Sequence, residues 1–191
     1  VARLVYGMTG RLRAICDAVF TLPLVLPPTV VGFLLLIAFG WQSPVGIALR
    51  NIGYRLIFTW EAAVVAASVV AFPLIYRTVR GAFEQIDPTL IDAARTLGLS
   101  ERRIFFQIML PCSIPGCIAG CVLGFARALG EFGATLMIAG NIPGKTQTIP
   151  VAIWSAVEGD EMVQAAIWVG IILMISVLVI MPLNLFGARR T

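Results

Sequence analysis

The chain has 191 residues, of which 59% are hydrophobic and 13% charged, with a net charge of +4 and a mean hydropathy of +0.95. Soluble domains carry about 45–50% apolar and about 25% charged residues, and so apolar a surface in water would be adhesive throughout. A water-facing globule is therefore excluded, and lipid is the solvent this composition suits.

Arg supplies 13 of the 14 basic residues, and these gather between apolar stretches instead of along one face, which speaks against nucleic acid as a partner. There is no histidine, and the four cysteines are Cys16, Cys112, Cys117 and Cys121, three of them in or beside one apolar stretch. They read as small apolar packing residues; neither a metal site nor a disulfide scaffold is expected. The chain begins with Val and shows no signal-peptide pattern, as expected of a fragment or a processed chain.

Four stretches are apolar over the 20 or so residues a bilayer requires. They lie at about 19–39, 57–76, 112–138 and 163–186. Helices are expected, because backbone groups in lipid must be satisfied within the segment. None of the four shows the alternation of a membrane barrel strand. The fold class is an all-α, polytopic transmembrane helical bundle forming one domain over 1–191.

The first stretch contains Pro23, Pro27 and Pro28, which break or kink a helix. Such a break is tolerated where protein or a cavity covers the freed backbone groups, in a moving helix or a static kink alike. Basic residues set the orientation. Arg3, Arg11 and Arg13 precede the first stretch; Arg77, Arg80, Arg95, Arg102 and Arg103 lie in the loop 77–111; Arg189 and Arg190 follow the last stretch. The two other connections hold only Arg50, Arg55 and Lys145. The 10-to-3 imbalance makes the N-terminal leader, the 77–111 loop and the C-terminus cytoplasmic. Glu158, Asp160 and Glu161 then lie outside.

The loop 77–111 is the most informative segment. Asp87-Pro88 reads as an N-cap followed by proline at the first helical position. Leu90, Ala93, Ala94 and Leu97 follow at helical spacing on one side, and Gly98 sits where a helix stops. Ser100 caps a second helix with Glu101 in its first turn. The spacing thus predicts two short helices hinged at Gly98-Leu99. A helix of about ten residues is marginal alone in water. Ala93 and Ala94 would let another protein approach its backbone closely, so it is a candidate docking element. The plainer alternative is a surface helix that only tidies the connection.

Asp92-Ala93-Ala94, three residues, Gly98, nine residues and Ile108-Met109-Leu110-Pro111 resemble the signature loop of binding-protein-dependent ABC importer permeases. That motif is Glu-Ala-Ala, three residues, Gly, nine residues, Ile-x-Leu-Pro. Every spacing agrees, and the one departure is Asp92 for Glu. The resemblance implies that Asp87, Asp92, Ala93, Ala94, Gly98, Ile108, Leu110 and Pro111 couple the chain to a cytoplasmic ATPase. Leu22 to Gly32, Ala126 to Thr135 and Asn141 to Pro150 resemble the molybdate-type permeases of that family. Sulfate and tungstate permeases have similar segments. The resemblance implies a non-enzymatic permease subunit in a bacterial or archaeal inner membrane, carrying molybdate or tungstate by alternating access. It further implies separate ATPase subunits that bind the ATP, an external substrate-binding protein, a homodimer of permeases and no cofactor in this chain. It also implies one more helix ahead of the first stretch, so a truncated N-terminus is expected.

Gly116, Gly120 and Gly124 recur every four residues in the third stretch and permit close helix packing, within the subunit or between subunits. Arg127 and Glu131 lie four apart in the same stretch and can pair. Ionisable groups at membrane depth face a bundle interior or a wet path. The pair is either part of an oxyanion pathway or an internal tie fixing helix geometry. Gly140 to Thr146 reads GNIPGKT, with three residues between the glycines where a phosphate loop needs four, and no strand precedes it. No nucleophile has a base partner. A secondary transporter or channel without an ATPase, or an assembly or signalling membrane protein, is the competing reading.

Overall fold

The computed structural model describes residues 1, 2, 5 and 10–188, with side chains as far as 181. Arg3, Arg189 and Arg190, three of the cations that set the expected orientation, lie outside the described residues. Among the described residues the architecture is helical throughout, without strands. The helices are α1 (Gly10–Val25), α2 (Pro28–Phe39), α3 (Pro44–Asn51), α4 (Trp60–Glu84), α5 (Pro88–Thr96), α6 (Glu101–Ile104), α7 (Leu110–Leu129), α8 (Gly133–Ala139), α9 (Ile149–Glu158) and α10 (Met162–Ala188). A π turn, Phe105–Met109, joins α6 to α7.

Among the described residues three helices are long and apolar enough to cross a bilayer: Trp60–Glu84, the continuous run Glu101–Leu129, and Met162–Met181. The stretch 19–39 is broken, as its prolines predict, into parts of two helices bent by 114°, although α1 continues through Pro23. Pro27 and Pro28 cause the break, because neither has an N–H to continue α1 and the ring of Pro28 suits the first turn of α2. The stretch 112–138 is likewise divided: α7 ends at Leu129, Gly130 to Phe132 leave the helix, and α8 resumes at Gly133.

The loop expected over 77–111 is much shorter than that. Helix α4 runs on to Glu84, carrying Arg77 and Arg80 within it, and the second of the two expected short helices is the first turn of the run Glu101–Leu129. Only 85–100, with α5 inside it, lies between the two long helices.

Gly116, Gly120 and Gly124 line the seam of α7 on α4. A methyl at Gly116 would lie 2.3 Å from Ala82 Cβ, one at Gly120 3.2 Å from Val79 Cγ2, and one at Gly124 2.3 Å from Ile75 Cγ1. The stripe therefore packs within the subunit, as small residues do where helices meet in lipid. It also fixes an antiparallel register. Carried one turn further, that register sets Arg127 level with Phe72, halfway along α4. Helix α8 then runs beside the other half of α4, and the Phe58 N–H donates to the Ile138 carbonyl at 3.0 Å.

Two cores follow. Around the Trp60 end of α4, Ala62, Ala63, Ala66 and Val70 pack against Val31 of α2 and Ala134, Ile138 and Ala139 of α8. Around its Glu84 end, Phe83 and Ile86 pack against Ile91 and Ala94 of α5, Ile104 of α6 and Met109 of the π turn. Outside these cores the long helices are largely bare. Phe33, Leu34, Ile118, Leu123, Leu173 and Val177 are all exposed, the opposite of what water selects.

Helices α2 and α8 touch most closely at Gly32, where an added methyl would lie 2.7 Å from both Ala134 Cα and Met137 Cβ. Overpacking of this kind costs about 1–3 kcal/mol. Gly32→Ala is therefore expected to lower the midpoint of thermal unfolding in detergent. Gly81→Ala, where nothing lies within 4 Å, is not. Equal midpoints for the two variants would contradict the α2–α8 contact.

Candidate functional site

Helix α5 is secured at both ends. The Thr89 N–H donates to Asp87 Oδ1 at 2.9 Å, and Pro88 fills the first helical position. That backbone hydrogen bond holds the Asp87 carboxyl below the usual carboxylate range. The cap is thus intact at neutral pH and is lost only as pH falls through the lowered value. At the other end Gly98 adopts φ +76°. The Gly98 N–H donates to Arg95 O at 2.9 Å and the Leu99 N–H to Ala94 O at 3.1 Å. This is the paired closure that a left-handed glycine permits.

The two faces of α5 differ from the expectation that Leu90, Ala93, Ala94 and Leu97 share one side. Ile91 and Ala94 turn inward, 6% and 4% exposed, against Phe83, Ile86, Ile104 and Met109. Leu90, Ala93 and Leu97 turn outward as an apolar row that the described residues leave exposed, and Leu97 is 81% exposed. Ala94 therefore seats the helix and offers nothing to an approaching protein. Ile91 was missed as an anchor; its spacing of three from Ala94 was the available signal.

Charges brace the same helix. Arg95 donates to Asp92 Oδ1 at 3.0 Å and to Glu101 Oε1 at 2.8 Å, tying α5 to α6. The Glu101 carboxylate, and then Asp92, hold the Arg95 guanidinium above its ordinary pKa. The carboxylate at Asp92 is thus engaged within the loop.

Ile108 is half-buried against this core, Leu110 is half-buried and Pro111 is exposed. The π turn explains their placing. Ile104 and Met109 are five residues apart, which an α-helix would splay by about 140°. With one residue more per turn, both face the core, 0% and 1% exposed. The Leu110 N–H is satisfied by Phe105 O, immediately before Pro111, which has none to satisfy.

The second cluster lies where α7 breaks. Arg127 Nη1 donates to Glu131 Oε2 at 2.9 Å, and the Ala134 N–H donates to Glu131 Oε1 at 2.9 Å. One carboxylate thus pairs with an arginine and caps α8. The Glu131 side chain is 1% exposed, that of Arg127 31%. The capping role was not legible from spacing, because it depends on where α7 stops. The N-terminus of α2 adjoins this break: a methyl at Gly133 would lie 3.3 Å from Pro28 Cβ and from the Thr29 nitrogen.

The GNIPGKT segment is a closed turn. The amides of Lys145, Thr146 and Gln147 all point to Ile142 O, at 3.0, 3.0 and 3.3 Å. Thr146 Oγ1 accepts from the Ile142 N–H at 3.1 Å and is buried. These groups are turned on the loop itself, and no phosphate cradle forms.

The chain belongs to the family described as the binding-protein-dependent transport system inner membrane component, which matches residues 2–186. It is a multi-pass membrane protein. Molybdenum transport system permease protein ModB of Escherichia coli (strain K12) is 50% identical over 147 residues, 76% of this chain and 64% of that protein. ModB of Azotobacter vinelandii is 40% identical over 182 residues, covering 95% of this chain and 80% of that protein. The chain thus spans just under two thirds of the E. coli relative's length. Among solved structures, a bacterial ABC transporter importing alginate superposes with a TM-score of 0.75 at 18% identity, covering 100% of this chain and 71% of that one. The inward-facing MetNI methionine ABC transporter superposes with a TM-score of 0.71 at 18% identity, covering 100% and 84%. At such identity the likeness is one of fold.

Removing one member of a buried ion pair costs roughly 3–5 kcal/mol. Glu131→Ala, which also orphans the Ala134 N–H, is expected to abolish recovery of folded protein from membranes. Glu131→Gln keeps an acceptor and is expected to retain most of it. Size-exclusion profiles in detergent distinguish the two, and a normal profile for Glu131→Ala would contradict the double role of this carboxylate.

Proposed function

We propose that the chain is the permease subunit of an ATP-driven importer that passes an oxyanion, molybdate or tungstate, from an external binding protein into the cell. The observation that carries this is the outward row Leu90, Ala93 and Leu97 on a helix capped at both ends and seated on the end of α4. So short a helix, held so firmly and left apolar on its free side, suits a groove in another protein. In an importer that groove belongs to a cytoplasmic ATPase, and ATP stays on that partner. Hydrolysis is not chemistry of this chain.

The molybdenum transport names of the relatives support the choice of ion over sulfate. The charge imbalance supports a cytoplasmic location for the leader, the loop containing α5 and the C-terminus. A homodimer is favoured because the few long helices among the described residues cannot enclose a path alone, and α10 as far as Met181 leaves most of its apolar surface for lipid or a second subunit. The break carrying Arg127 lies half-way along α4, where an anion in transit meets the least water. Arg127 is only partly covered, so its remaining N–H groups can face the path while Glu131 limits the net charge there. Two arrangements of the helices must each bind the partners differently for the nucleotide cycle to drive transport.

Reconstituted with its ATPase, the chain is expected to show hydrolysis stimulated by the binding protein with molybdate or tungstate and much less with sulfate. Gly98→Trp strains a left-handed position beside Leu97 and is expected to block docking. Unimpaired co-purification and stimulation in that variant would refute the coupling role. Arg127→Gln, whose amide keeps a donor for Glu131, is expected to assemble and to lose uptake into vesicles; normal uptake would remove Arg127 from the path.

A further inference from the structure

Helix α1 is joined to the rest of the chain in an unusual way. It has no buried residue, and its principal neighbour among the described residues is α4. The contact has two parts. Phe20 meets Phe72 and Tyr76 at ring-centroid distances of 5.7 and 5.3 Å. Beyond them, Arg13 and Asp17 of α1 face Tyr76, Arg80 and Glu84 of α4, each set spaced by four so as to lie along one side of its helix. The Tyr76 hydroxyl donates to Asp17, Arg80 pairs with Asp17, Arg13 pairs with Glu84, and Arg80 Nε also donates to Glu84 Oε1 at 3.0 Å. Two cations and two anions cancel along the ladder.

We propose that this ladder is a releasable latch between α1 and the Glu84 end of α4, closed in the arrangement seen here and parted in the other arrangement of the transport cycle. The proposal rests on the reading of the chain as an ATP-driven permease. Three observations carry it. The first is accessibility. The charged side chains of Arg80, Asp17, Arg13 and Glu84 are 19%, 25%, 34% and 42% exposed, and of the ladder only Tyr76 is buried, so on parting the ion pairs, already partly hydrated, are exchanged for fuller hydration at modest cost. The seam of α4 with α7 has no such freedom, since Gly116 and Gly124 fit closely against Ala82 and Ile75 and parting would open voids.

The second is a hinge. The 114° bend before α2 falls at Pro27 and Pro28, which interrupt the backbone ladder. Helix α1 can swing there without moving α2, which is locked to α8 at Gly32 and Gly133. The third is position. Phe83, adjoining the Glu84 rung, is part of the core on which α5 sits. Movement of α5 therefore bears on the end of α4 where the ladder lies.

The test is a removable tether that leaves the ladder intact. Phe20→Cys and Phe72→Cys are placed in a chain whose four native cysteines are replaced by serine. It is assembled with its ATPase in vesicles and joined by a short linker bearing two methanethiosulfonate groups, each of which forms a disulfide with a cysteine and releases sulfinate; added dithiothreitol reduces the disulfides and cleaves the tether. Uptake of molybdate is expected to fall to background when the tether forms and to return when it is cleaved. Undiminished uptake through the tethered protein would show that α1 and α4 never part, and overturns the latch. A second variant, Asp17→Asn with Tyr76→Phe, weakens the ladder while keeping its bulk. It is expected to raise ATP hydrolysis several-fold in the absence of binding protein, because the closed arrangement loses its tie. Unchanged basal hydrolysis also overturns the latch. Absence of uptake by the untethered chain sinks the transport reading itself, and the latch with it.

Discussion

A broken helix surrounded by lipid needs its freed backbone groups and nearby charges satisfied by protein, and at the break between α7 and α8 the Glu131 carboxylate answers one of each. One oxygen takes the Ala134 N–H and the other takes Arg127. The break lies about half-way along α4, where unpaired polar groups cost most. With it secured, α8 can turn to pack on α2 and α4, and the core of Ala62, Ala66, Ala134 and Ile138 closes behind it.

The second core serves the opposite end of α4 and has a different logic. There the chain leaves the apolar zone, and a helix of only nine residues must be held rigidly enough to receive force. Caps at Asp87 and Gly98, the Arg95 bridges, and the inward pair Ile91 and Ala94 together hold it. The π turn lets Ile104 and Met109 both contribute to that seat. Because Phe83 belongs to α4 and to this core alike, with Ile86 just beyond the helix end, α5 cannot shift without moving the end of α4. The two cores are thus connected by one long helix, which the glycine stripe of α7 grips from Ile75 to Ala82.

Much of this was legible from residue types and spacing. The proline pair marked the bend before α2, the glycine stripe marked a close helix contact, and Asp87-Pro88 and Gly98 marked the ends of α5. Those signals are local: a missing N–H, a missing Cβ, a side chain capping its own helix. The lengths of the spans were read less well. Polar composition near Arg77 and Arg80 suggested a loop, whereas α4 continues past them: Asp17, Tyr76 and Glu84 surround Arg80 from the same helix and from α1, and Arg77 is exposed.

By itself the sequence determined that the chain lives in lipid, that it is helical, where its short capped helix lies, and to which family its spacings belong. These follow from composition and from contacts within a few residues. Tertiary structure alone decided that Ala94 faces inward and Leu97 outward, that Glu131 caps α8, and that Arg13 and Asp17 meet Tyr76, Arg80 and Glu84. Each depends on which face of a helix meets a neighbour distant along the chain. Hydropathy cannot report this where lipid and protein surroundings are equally apolar.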